Sequence, residues 1–122
     1  MNIKRANLPQ RKVKSKMALT RDFKQTVSTR AAHDPEFARA LLDEALTLFL
    51  NGEPDTAKLI LRDLVNGTVG FEGLAIEVHK PSKSLHRMLS ASGNPTMVNL
   101  SAILDTLKKS MRVEVKASVI AI

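Results

Sequence analysis

No cysteine, tryptophan or tyrosine occurs in this chain of 122 residues, and phenylalanine occurs only four times. The lack of cysteine excludes a disulfide framework, a cysteine-ligated zinc site and thiol catalysis, and it fits a reducing compartment. The shortage of aromatics removes the platforms on which single-stranded nucleic-acid modules stack bases. No apolar run approaches the roughly 18 residues that a membrane-crossing helix needs. The basic N-terminus is followed by no apolar stretch, so no secretory leader is expected.

Enzyme chemistry is missing as well. His33, His79 and His86 are scattered, and none has metal-ligand spacing. Asp43 and Glu44 are adjacent in a helical stretch, where neighbours point about 100° apart, which makes a poor acid/base pair. Glu72 and Glu77, five apart, are splayed in the same way. Gly67-x-x-Gly70 and Gly70-x-x-Gly73 match the GxxG loop of an RNA-binding KH domain on the surface only, because no set of strands for that fold is visible. No phosphate-cradling loop and no nucleophile triad appears. The reading is a non-enzyme with no cofactor and no metal.

One further absence is positive evidence. Between Glu77 and Asp105 there is no carboxylate, while Lys80, Lys83 and Arg87 stand there with His79 and His86. A solvated protein face ordinarily mixes both signs, whereas a surface that meets phosphate does not. The net charge of +7 by itself says less. Most of it sits in the first 16 residues, where Lys4, Arg5, Arg11, Lys12, Lys14 and Lys16 occur with no acid. Residues 1–19, without period and containing Pro9, read as a basic flexible arm. Either it tracks phosphates or the minor groove, or it is an unstructured extension.

Residues 20–122 read as one helical domain, the size a chain of this length supports. Thr20 caps a first helix over about 21–32, with Phe23, Val27 and Ala31 on one face. Asp34-Pro35-Glu36 restarts a second helix over about 35–50, whose wide stripe is Phe37, Leu41, Leu42, Ala45, Leu48 and Phe49. Asn51-Gly52 supplies a left-handed stop. A third helix over about 54–66 turns Ala57, Ile60, Leu61, Leu64 and Val65 inward, and Asn66-Gly67 ends it. Gly70 or Thr68 caps a fourth over about 71–78. A fifth spans about 81–90. Gly93-Asn94-Pro95 is a turn, and Thr96 caps a sixth helix over about 97–110, with Leu100, Ile103, Leu104 and Leu107 as its core face.

The fourth and fifth helices, within about 71–89, are the candidate site. Leu74, Ala75 and Val78 make the inner stripe of one, and Leu85, Met88 and Leu89 that of the other. His79 takes the turn between them. Pro81 opens the fifth helix, where proline lacks no needed donor. Ser82, Lys83, Ser84, His86 and Arg87 are left facing outward, next to Lys80. Such a front suits a DNA major groove, where lysine and arginine donate to guanine and serine contacts bases or phosphates. A solvated helical hairpin is the plain alternative.

The ending changes period. Val113, Val115, Ala117 and Val119 alternate with Arg112, Glu114, Lys116 and Ser118, which predicts a strand over about 112–119. A lone strand needs a partner. The same strand of a second copy, the N-terminal arm, or no partner at all in a frayed tail are the three options.

The run from Leu74 to Leu89 resembles the Xre/lambda-repressor helix-turn-helix superfamily. The region from about Met17 to Ala117 resembles a narrower family, the HigA-type antidote proteins (the antitoxins of type II toxin–antitoxin modules). The motifs are Asp34-Pro35-Glu36-Phe37-Ala38, Leu41-Leu42-Asp43-Glu44-Ala45, Phe49-Leu50-Asn51-Gly52-Glu53-Pro54, Lys83-Ser84-Leu85-His86-Arg87-Met88-Leu89 and Gly93-Asn94-Pro95. The resemblance implies an all-α, lambda-repressor-like core at about 54–110, extended by the N-terminal helices and a short C-terminal strand. It also implies a cytoplasmic, nucleoid-associated homodimer that binds double-stranded operator DNA, represses its own operon and neutralises a RelE-like toxin. The implied DNA contacts are Ser82, Lys83, His86 and Arg87. The chain departs from the superfamily at His79, where glycine is usual, at Lys80, where an apolar residue is usual, and at Phe71, where glutamine is usual. A stand-alone regulator, or an interaction module that has lost DNA reading, remain as alternatives.

Overall fold

The structure, a computed structural model, describes residues 26–122. The arm over 1–19, the Thr20 cap and Phe23 lie outside them. Six helices occur among the described residues, and most of their ends trace to a local residue choice. Helix α1 covers 26–33. Asp34 then turns extended, and its carboxylate accepts from the Phe37 N–H at 3.1 Å, capping α2 (Pro35–Leu50). Proline at the start of α2 and of α3 (Pro54–Gly67) replaces an N–H that no carbonyl would have received. Gly52, at φ 85°, ends α2, and the amides of Gly52 and Glu53 donate back to the carbonyls of Phe49 and Leu48. Thr96 caps α6 (Met97–Met111) through its hydroxyl, which accepts from Asn99 N–H at 3.1 Å.

Two short helices lie between, α4 (Gly70–Val78) and α5 (Ser82–Met88). His79 links them in the left-handed region, at φ 58° and ψ 45°. Glycine reaches that conformation most easily, but histidine tolerates it better than most residues. Its amide and that of Lys80 both donate to the Ala75 carbonyl and close α4.

The core is one cluster. Leu42 and Ala45 of α2, Leu61, Leu64 and Val65 of α3, Phe71 and Leu74 of α4, Leu85 and Leu89 around α5, and Ile103 and Leu107 of α6 are all buried in it. Each fully buried leucine contributes about 1.5–3 kcal/mol of transfer free energy. The most extensive pairing is α2 with α3, and α4 packs against α3, α5 and α6. That central position of α4 is what holds α5 in place.

Several expectations are corrected. No strand occurs among the described residues, and 113–122 have no regular secondary structure. A strand exists only as part of a ladder, and beyond Val113 this segment forms no backbone hydrogen bond with any described residue, so the expected strand over 112–119 is not seen in the single chain. Helix α5 is shorter than 81–90 at both ends, and Pro81 is its extended cap residue, not its first helical residue. Neither Thr68 nor Gly70 caps α4. The residue before that helix is Val69, the Thr68 hydroxyl donates back to the Leu64 carbonyl at 2.7 Å, and Gly70 is itself the first helical residue. Gly67 does not stop α3 by a left-handed turn. Instead, a Cβ there would come within 2.5 Å of the Ser28 carbonyl oxygen, so its missing side chain lets α1 approach α3. No helix among the described residues is long and apolar enough to cross a membrane.

Candidate nucleic-acid interface

The candidate residues come together on α5 and the turn before it. Seven residues are too few to form a stable helix alone, so α5 depends on what it is pressed against. Leu85 and, just past its end, Leu89 are fully buried, and Met88 is half-buried behind them. This fixes the rotation of the helix and decides what faces out.

Lys80, Lys83, His86 and Arg87 are exposed, whereas Ser82 and Ser84 are half-buried. The outward front is thus more cationic and less hydroxylated than the sequence pattern alone suggests. Lys80, Lys83 and Arg87 form no ion pair with any described residue. Every recorded ion pair instead lies on α1–α3 or α6, as between Lys109 and Asp105 at 2.9 Å. Among the described residues, the α5 face therefore keeps its positive charge unneutralised.

His86 has a specific seat. Its ring stacks on Phe71 with centroids 3.8 Å apart and planes 19° from parallel. Phe71 is itself buried. One face of the imidazole is thereby covered, while the residue remains largely open to solvent. The sequence marks Phe71 only as a departure from the usual glutamine and His86 only as an outward candidate DNA contact. The two are 15 positions apart, on different helices, and no spacing rule links them.

Two further residues support the face from behind. Lys58 of α3 is only 4% exposed. Its ammonium donates to the Ala91 carbonyl at 3.4 Å and to the Gly93 carbonyl, and it pairs with exposed Asp55 at 3.3 Å. Lys58 thus ties the loop that leaves α5 to the core. Gly93 lies against the last turn of α5, so close that a Cβ would collide with the carbonyls of Arg87 and Met88. The Gly93-Asn94-Pro95 signal marked the turn but not this contact.

The other sequence candidates are dispersed. His33 is exposed at the end of α1, and Asp43 and Glu44 are exposed on α2. Among the described residues, no group of three His, Asp or Glu side chains could hold a metal ion. The arrangement at α5 offers binding chemistry: three long cationic donors and a stacked imidazole on a rigid backing.

No protein-family model, no curated protein and no solved structure matches this chain.

Proposed function

We propose that this chain is a DNA-binding repressor in which α4, the His79 turn and α5 act as a helix-turn-helix, with α5 in the major groove. One observation carries the reading. Helix α5 has a fully buried apolar back and an exposed front of Lys83, His86 and Arg87, with Lys80 alongside and no described carboxylate paired to any of the three cationic chains. Lysine and arginine on such a front donate to guanine edges and to phosphates. Ser82 and Ser84, half-buried at the helix start, contribute at the margin of the face.

The resemblance to HigA-type antidote proteins adds the biological setting: autoregulation of an operon and neutralisation of a RelE-like toxin. A basic protein of about 100 residues encoded beside this chain, and rescue of growth when both are expressed, would support that part. Growth arrest by the neighbouring product that this chain does not relieve would remove it.

The test of DNA reading is fluorescence anisotropy, with the duplex upstream of the reading frame compared with a scrambled duplex. Arg87→Ala should weaken specific binding by about 1–3 kcal/mol, roughly 5- to 150-fold, if it pairs with guanine. Lys80→Ala should weaken both duplexes equally and lower the salt slope by about 1. Equal affinity for both duplexes, with no effect of Arg87→Ala, would exclude sequence reading by this face.

A second reading is a protein-interaction module that no longer reads DNA. It is favoured by large apolar side chains left exposed near the motif: Ile76 on α4, and Met97 and Val98 at the start of α6. Absence of duplex binding at low salt would select it.

A further inference from the structure

Helix α6 ends in a way that aims the chain. Arg112 is left-handed, at φ 58° and ψ 49°. Its amide donates to the Lys109 carbonyl and that of Val113 to the Lys108 carbonyl, at 3.2 and 3.1 Å. This paired closure fixes the direction in which residues 113–122 leave the helix. Beyond Val113, no backbone hydrogen bond is formed with any described residue.

The released segment is nonetheless built for pairing. Val113 is half-buried against the core. Val115, 48% exposed, divides a shallow trough between α2 and α6, with Leu42 and Leu46 on both sides of it and Leu104 along the α6 wall. Glu114 and Lys116 are exposed on the alternate positions. Val119, Ile120 and Ile122 are almost wholly exposed. No proline or glycine occurs after Pro95. A β-branched run without regular structure, whose N–H and C=O groups meet no described partner beyond Val113 and which has no proline guard, is a template for another strand.

We infer that residues 113–117 pair antiparallel with the same residues of a second copy, in the register that puts Val115 on the two-fold axis. Charge selects that register. With Val115 opposite itself, Glu114 of each copy faces Lys116 of the other, and Val113 faces Ala117. Centring the pair on Glu114 or Lys116 sets like charges opposite each other, which is destabilising. Centring it between two residues on either side of Val115 sets Val113 and Val115 opposite polar side chains, and centring it between residues further on leaves Glu114 opposite Val119 or Ala121, with no ion pair. Centring it on Ala117 leaves Glu114 facing Ile120 and forms no ion pair. A parallel, in-register pair stacks Glu114 on Glu114. In the chosen register, Val113, Val115 and Ala117 of both strands share one face, and Val113 and Val115 of that face already lie against the protomer's own α2–α6 trough.

The ribbon requires no DNA, so it stands or falls separately from the proposed function. If both hold, it supplies the two-fold symmetry that a palindromic site requires.

Light scattering on the full chain tests it. The wild type should show twice the 13.4 kDa of one chain. Glu114→Lys and Lys116→Glu should each convert two attractive pairs into two repulsive ones and raise the dissociation constant roughly tenfold or more. Mixing these two variants should restore a dimer, because each then presents the other with opposite charge at both positions. The chain has no native cysteine, so Val115→Cys should cross-link to itself under mild oxidation, whereas Val119→Cys should not. Circular dichroism checks that each variant keeps its helices. A monomeric wild type, a dimer indifferent to both charge reversals, a mixture that stays monomeric, or stronger cross-linking through Val119→Cys than through Val115→Cys would each overturn the inference.

Discussion

Replacing Lys58 with methionine keeps an unbranched side chain as far as Cε and deletes the ammonium. The structure gives that ammonium three partners: the carbonyls of Ala91 and Gly93, and the carboxylate of Asp55. Hydrogen bonds to a charged group are worth about 1.5–3 kcal/mol. The Asp55 pair adds little, since that carboxylate is 83% exposed and solvent screens it. Methionine recovers part of the loss, because burying an ammonium is itself costly. The balance is a destabilisation of about 2 kcal/mol, with two loop carbonyls left short of a donor. With an unfolding entropy of about 2.1 cal/mol/K per residue over the roughly 100 described residues, this lowers Tm by about 10 °C. Urea unfolding followed by circular dichroism measures it. Asp55→Asn, at the exposed end of the same pair, should change stability by less than about 0.5 kcal/mol. If Lys58→Met unfolds at the same urea concentration as the wild type, or a higher one, the ammonium has no net role in stability.

Two other perturbations have defined outcomes. Gly93→Ala should destabilise by about 1–3 kcal/mol, the range for an atom inserted into a closely packed site, because the new Cβ meets the carbonyls of Arg87 and Met88; unchanged urea stability would show that the loop yields freely. Asp34 has its carboxyl held below the usual 3.8, first by the Phe37 amide and then by Arg30, so the stability it confers is complete above that value and disappears as pH falls through the depressed one. Asp34→Asn should flatten the acid side of the stability–pH profile, and profiles that superimpose would remove the carboxylate from the account.

Much of the helical frame was legible because its signals are local. Asp34-Pro35, Asn51-Gly52 and Thr96 act within one turn of themselves, and the structure finds caps or stops at each. His79 was legible by elimination, since the period of α4 breaks there and a tight turn must follow. What could not be read depends on residues far apart in sequence. Lys58 adjoins buried Ala57, and a lysine on an amphipathic helix ordinarily reads as solvated; the loop that buries it arrives more than 30 positions later. The stack of Phe71 on His86 is of the same kind. Gly67 was visible as a glycine near a helix end, but its role is set by Ser28 on another helix. The alternation after Arg112 was visible too, yet alternation names a face and not the strand that will lie beside it. The outward front of α5 was legible for Lys83 and Arg87 and too generous for the serines, because a seven-residue helix has little room between its buried and open sides.

The brevity of α5 has a consequence of its own. Its shape is borrowed: two leucine plugs below and a glycine-fitted loop packed against the Arg87 and Met88 carbonyls at its far end hold it, while Lys83 and Arg87 are exposed. Rewriting the outer letters should therefore leave the scaffold intact, so the chemistry that this front presents can be changed one side chain at a time without any need to refold the domain that carries it.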